Sequence, residues 1–267
     1  MNTGETDLLK GKCALVTGSV AGLGYAIAEK LAEAGAAVVL NGLATAQEAE
    51  AARARLEQRF DNPVLFHGAD LARADAIEDM MKTAAAAFGK VDILVNNAVV
   101  RHVAPVEDFG ASQWDESLAV NLSAAFHTIR LSLPGMRKSG WGRIINMSSV
   151  YGLSATINRV GYVTTKTALI GMTRAVALET AATSITCNAL CPGTLPTPAI
   201  LSKIAALAAE QGISEADATR NYLAERQPSG RFVAMESVGS MVVFLCSEAG
   251  ADITGAVLPV DGGWTAN

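Results

Sequence analysis

The chain has 267 residues, half of them apolar, which is enough to bury a substantial core in one large domain. A formal charge of −5 without any cluster of basic residues excludes a nucleic-acid surface, and no apolar run approaches the ~20 residues that a membrane-spanning helix requires. Cys13, Cys187, Cys191 and Cys246 form no Cys-x-x-Cys pair and have no histidine at zinc-like spacing, so they read as reduced, buried thiols with no metal site; the polar residues 1–12 lack an apolar signal core, and the cytoplasm is the expected compartment.

Residues 12–17 form a short, nearly continuous apolar run, the pattern of a strand buried on both faces of a parallel sheet. A glycine-rich turn follows, with Gly18, Gly22, Leu23 and Gly24 as candidate cofactor contacts, and then a helical pattern over 25–34 ended by Gly35. Glycines in such a turn let the backbone approach a pyrophosphate, whose charge is favoured by the free N–H groups of the helix start. The spacing departs from Gly-x-Gly-x-x-Gly and indicates a variant of the dinucleotide-binding fold. A second strand over 36–40 ends at Asn41-Gly42-Leu43, where such folds inspect the adenosine ribose. It offers neither an acid for NAD nor an arginine for the phosphate of NADP; the lack of a basic residue favours NAD, with Asn41 as the candidate contact.

Residues 45–60 read as a solvated outer helix, and a third strand over 64–68 ends at Asp70-Leu71, where a carboxylate can meet an adenine amine. An amphipathic helix over 73–88 and a fourth strand over 91–95 lead into Asn96-Asn97-Ala98. This alternation specifies an α/β fold with a doubly wound, Rossmann-type parallel sheet. A long helix is expected over 112–137, interrupted at Pro134, with Asn121 near its middle either as a packing residue or as one that deforms the helix and holds a water. A fifth strand over 143–147, a helix over 161–180 and a sixth strand over 184–190 follow, so Ser149 and Pro192-Gly193 join Gly18, Asp70 and Asn97 at the carboxyl edge, where open parallel sheets bind ligands. Two alanine-rich helical pieces, 199–211 and 214–226, make the segment 194–231 a lid or an oligomer contact. A last helix over 236–247 and a seventh strand over 256–260 end at Asp261-Gly-Gly-Trp264.

Tyr162 and Lys166 are four residues apart and project from one face of their helix. At ~4 Å and an effective dielectric of ~20, an ammonium attracts a phenolate by on the order of 4 kcal/mol before desolvation is subtracted. That brings a phenol from about 10 to roughly pH 7 to 8, where it works as acid and base. Ser149 can hydrogen-bond the same substrate oxygen.

Thr17-Gly18-x-x-x-Gly22-x-Gly24, Asp70, Asn96-Asn97-Ala98, Asn121, Ser149, Tyr162-x-x-x-Lys166 and Pro192-Gly193, in this order and spacing, resemble the short-chain dehydrogenase/reductase family over nearly the whole chain. One departure is Val99, where the family usually has glycine. The resemblance implies that Tyr162 is the general acid/base, that Lys166 lowers its pKa and binds the nicotinamide ribose, that Ser149 positions the substrate oxygen and that Asn121 holds a water in the proton relay. It also implies a homotetramer, with the helices bearing Asn121 and Tyr162 packing across a two-fold axis.

Gln227 to Val233, Val243 to Ser247, Ile253-Thr-Gly255 and Val260 to Ala266 resemble the D-3-hydroxybutyrate dehydrogenase branch, which is NAD-dependent. In that branch glutamine, histidine, lysine and tryptophan hold the substrate carboxylate and methyl at positions where this chain has Arg101, Tyr151, Arg159 and Thr194; Trp264 is retained and Lys203 replaces a further glutamine. The resemblance therefore implies a small anionic hydroxy or keto acid, 3-hydroxybutyrate-like or bulkier, clamped by arginine. If Arg101 and Arg159 are solvated rim charges instead, a neutral polyol, sugar or cyclic ketone is the alternative; a non-catalytic dinucleotide-binding scaffold is the remaining one.

Overall fold

A computed structural model describes residues 7–224 and 226–266. Residues 1–6 of the polar amino-terminal segment and Glu225 of the second helical piece lie outside the described residues. Seven strands, β1 (Cys13–Val16), β2 (Ala37–Asn41), β3 (Val64–His67), β4 (Ile93–Asn96), β5 (Gly142–Met147), β6 (Ile185–Pro192) and β7 (Val257–Val260), pair in parallel in the order β3-β2-β1-β4-β5-β6-β7. This is the doubly wound Rossmann-type sheet expected from the alternation of elements.

Both faces of the sheet are covered because successive strand residues point to opposite sides and nearly all are apolar. Ala14 and Val16 join Ile27, Leu31 and Val242 on one side, whereas Cys13 and Leu15 join Ile77, Met80 and Met136 on the other. The first side is built from α1 (Gly22–Glu33), α2 (Ala46–Phe60) and α9 (Met235–Cys246). The second is built from α3 (Ala74–Phe88), α5 (Ala124–Ser139) and α6 (Val160–Thr180). Because β2 and β3 run outward on one side of β1 while β4 to β7 run outward on the other, the loops leaving β1 and β4 diverge and open a crevice.

The helix expected over 112–137 has a different course. It consists of α4 (Ala111–Leu118), one wide π turn (Ala119–Ser123) and α5. The turn centres on buried Asn121, whose side chain accepts from the Val100 N–H (2.8 Å) and donates to the Val100 carbonyl (3.0 Å). Pro134 does not interrupt the helix, which continues to Ser139. Pro134 and Arg130 are both exposed, so water can solvate the carbonyl that the proline leaves unpaired. The segment after β6 holds α7 (Pro198–Gln211) and α8 (Glu215–Ala224), which share a small apolar cluster of Ile204, Ala208 and Ala218. No helix among the described residues is long and apolar enough to cross a membrane.

Candidate active site

The crevice continues into a cavity of about 390 Å³ along the carboxyl edge of the sheet. Its first wall is the turn between β1 and α1. Gly18 has φ +62°, and a Cβ there would lie 2.8 Å from the Ala98 Cα; a Cβ on Gly24 would collide with the Gly18 carbonyl and reach to 2.6 Å from the Asn97 Nδ2. Side chains are thus excluded from both positions, and backbone lies bare against the cavity. α1 starts behind Ala21 with no side-chain cap and no acid in its first turn, so its first N–H groups are left for an anion. These features fit a dinucleotide pyrophosphate.

The turn is held in shape by polar side chains whose roles were not evident in the sequence. The Thr17 hydroxyl accepts from the N–H groups of Asn97 (2.9 Å) and Ala98 (3.0 Å). The Asn97 side chain donates to the carbonyls of Thr17 (2.9 Å) and Gly18 (3.0 Å). Asn41 is fully buried, accepting from the Gly18 N–H at 3.4 Å and donating to the carbonyls of His67 and Ala69, both at 3.0 Å. It lines the cavity, but its side chain is committed to holding three strand ends together. Gly42 and Leu43 line the same end, as do Asp70 and Leu71, with the Asp70 carboxylate accepting from the Ala72 N–H (2.9 Å). Gly22 is the first residue of α1 and outside the lining, while Leu23, Pro192 and Gly193 belong to it.

At the other end Ser149, Tyr162 and Lys166 face one space. Lys166 is buried, donates to the Met147 carbonyl at 2.6 Å and has its Nζ 5.8 Å from the Tyr162 ring centroid. Arg101, on the loop after β4, puts its guanidinium carbon 5.5 Å from the same centroid. Burial would raise the Tyr162 pKa, but the Lys166 and Arg101 cations, with the Ser149 hydroxyl, outweigh it and hold the phenol below its ordinary value. Burial likewise pushes the Lys166 ammonium down, against the pull of Tyr162. The Ser149 hydroxyl accepts from the Tyr151 N–H (3.2 Å), which leaves its own proton to donate toward the phenol or a substrate oxygen.

A buried polar ladder fixes this end to the sheet. Thr128 of α5 donates to Asn96 (2.7 Å), Asn96 to its register partner Asn146 (2.9 Å), and Asn146 to Thr173 of α6 (2.9 Å). Polar residues interrupting two adjacent buried strands were the available signal for it. Asn121 is buried outside the lining and ties Val100 to Thr165 of α6 (3.4 Å).

The predicted substrate residues disperse. Arg101 is brought to Tyr162. Tyr151 stands edge-on between Tyr162 (6.5 Å) and Trp264 (5.5 Å) in an aromatic row, and neither Tyr151 nor Trp264 lines the cavity. Arg159 is the N-terminal flank of α6 and does not line the cavity. Thr194 is buried with its N–H donating to Gln227, and Lys203 is exposed on α7, 5.5 Å from the Tyr222 ring of α8; neither lines the cavity. Glu116 does line it, paired with His102 at 2.8 Å, and lacked any motif to announce it.

The family model described as Enoyl-(Acyl carrier protein) reductase matches residues 18–265. The chain is 47% identical over 259 residues to a D-beta-hydroxybutyrate dehydrogenase of Cupriavidus necator, covering 97% of this chain and 100% of that one. It is 43% identical over 255 residues to a D-beta-hydroxybutyrate dehydrogenase of Rhizobium meliloti, covering 96% and 99%. The crystal structure of L-sorbose reductase from Gluconobacter frateurii, complexed with NADPH and L-sorbose, superposes with a TM-score of 0.92 at 30% identity, covering 98% and 99%. With a glycine cradle for a dinucleotide at one end and a cation-flanked phenol at the other, the chain belongs to the short-chain dehydrogenase/reductase family, oxidoreductases that work with a nicotinamide dinucleotide.

Proposed function

We propose that the protein is an NAD-dependent dehydrogenase that interconverts a secondary alcohol and a ketone on a small hydroxy or keto acid, 3-hydroxybutyrate-like or bulkier. The observation that carries this reading is Arg101 beside Tyr162, a cation at the point where a substrate would meet the phenol. Identity of 47% and 43% to two D-beta-hydroxybutyrate dehydrogenases supports it.

The bare turn at Gly18 and Gly24 and the start of α1 would hold the pyrophosphate, Asp70 and Leu71 the adenine, and Lys166 with Asn97, Pro192 and Gly193 the nicotinamide half. NAD is favoured because Arg101 and Lys166, the two cations of the lining, sit with Tyr162, whereas Asn41, Gly42 and Leu43 carry no charge for a ribose phosphate. The bound dinucleotide supplies the hydride acceptor or donor. In oxidation Tyr162 takes the proton from the alcohol oxygen while Ser149 holds that oxygen; in reduction the phenol returns it. Lys166 offsets the phenolate charge, and Asn121, through its wide turn, connects the site to the proton relay. Arg101 pairs the carboxylate. The segment 194–231 would serve as the lid of a single domain, and Trp264 would back Tyr151, against which its ring stands edge-on. The separate, buried thiols suit a reducing cytoplasm.

A neutral substrate is the second reading, favoured by the superposition on a structure holding L-sorbose. A panel of beta-hydroxy acids of increasing size and neutral polyols, run with NAD and NADP, separates them through absorbance of the reduced nicotinamide. Acids with NAD are expected to give the largest kcat/KM; faster turnover of polyols, or preference for NADP, refutes the proposal.

A further inference from the structure

Two cations, not one, flank Tyr162. Lys166 comes from one turn further along α6, and Arg101 comes from the loop after β4, 5.5 Å from the ring centroid. That loop is tethered on both sides of Arg101, by Asn121 on both backbone atoms of Val100 and by the Ala104 N–H donating to the Asn158 carbonyl at 3.1 Å. The other charged or titratable groups near the phenol are few. Glu116 of α4 lines the cavity but is taken by His102 at 2.8 Å, Cys191 of β6 faces Lys166 under desolvation, and Tyr151 meets the phenol only edge-on. Among the described residues no carboxylate pairs with Arg101, which is exposed to the cavity.

We propose that Arg101 is a positioning residue that stabilises the Tyr162 phenolate in the ligand-free protein and surrenders that role to the carboxylate of a bound acid, so that the phenol holds its proton more tightly in the complex. This rests on the reading of the substrate as an acid. A guanidinium and a carboxylate form a two-pronged pair with little net charge, and the field at the phenol collapses to that of Lys166 alone. The oxidation limb of kcat therefore lies at higher pH than that of kcat/KM, because the first reports the complex and the second the protein before the acid binds.

The test reads the phenol without any substrate. Phenolate absorbance is titrated in the wild type, Arg101→Gln and Arg101→Lys, each against the same protein carrying Tyr162→Phe, whose difference isolates one of the four tyrosines. Near-UV circular dichroism checks the fold. Arg101→Gln is expected to leave about tenfold less Tyr162 phenolate at a fixed pH on the rising part of the curve, and Arg101→Lys to restore most of it. Saturating acetate, against chloride at equal ionic strength, is expected to move the wild type toward Arg101→Gln and to leave Arg101→Gln in place. Coincident curves for wild type and Arg101→Gln, or an acetate effect that is absent in the wild type or equal in both, overturn the proposal. A substrate panel that finds only neutral alcohols refutes the acid reading but does not move these titrations, so the two failures are separable.

Discussion

A phenol with 8% of its surface exposed would ordinarily hold its proton more tightly than a free tyrosine, since burial penalises the charged form. At Tyr162 the opposing fields win because Lys166, itself buried, and Arg101, reaching in from the cavity, both act at short range. The direction of that shift fixes the pH dependence. Oxidation needs the phenolate, so its rate falls as pH drops through the lowered pKa; reduction needs the phenol and falls as pH rises through it. Tyr162→Phe is expected to lower turnover by about 10²- to 10⁴-fold, the range of general acid-base catalysis, without loss of the fold. Lys166→Ala is expected to move the oxidation limb to alkaline pH by removing the larger of the two cationic effects. Profiles of kcat/KM against pH check both, and a limb that stays in place in Lys166→Ala denies the lysine its electrostatic role.

At the scale of elements, Asn41 illustrates what a sequence can and cannot say. Its position at the end of β2 was legible, and with it the expectation of a ribose contact. The direction of its side chain was not, because a strand's period of two gives a face and not a partner. In the structure it turns inward and donates to the carbonyls of His67 and Ala69. Asn41→Ala is therefore expected to cost about 1–3 kcal/mol, read by urea unfolding, and to weaken dinucleotide binding by loosening Gly18. Unchanged stability would show that water replaces the amide. The sequence left Asn121 between packing in a helix and deforming one for a related reason, and the π turn at Ala119–Ser123 is the second of these. It widens the helix without erasing its apolar stripe, so the pattern around Asn121 still reads as one helix. Arg159 and Lys203 are a different case: Arg159 flanks α6 and Lys203 lies on α7, and a helical pattern gives each a place on its helix but not whether that place meets the cavity.

For the whole molecule, the sheet was legible because alternating strands and helices admit few topologies, and the shared carboxyl edge then gathered residues as distant in sequence as Gly18 and Pro192. Surfaces are less legible, since an apolar residue on a helix does not announce whether a core or another subunit covers it. Here the structure divides them. Phe126 on α5 and Leu178 on α6 are 51% and 80% exposed, on helices that also carry Ile129 and Val176 into the core. Phe244 on α9 is 42% exposed, and β7 presents an unpaired edge of the sheet. Two separate patches, each able to meet its own copy about a two-fold axis, are what a closed tetramer of dihedral symmetry needs. We therefore expect sedimentation velocity to give a homotetramer. Replacing Phe126 and Leu178 together by glutamate places charge in the first patch without disturbing the protomer, because both side chains already lie outside its core. That variant is expected to sediment as a dimer held by α9 and β7. A monomeric wild type would refute the assembly, and a variant that remains tetrameric would show that the α5 and α6 face is not one of its interfaces.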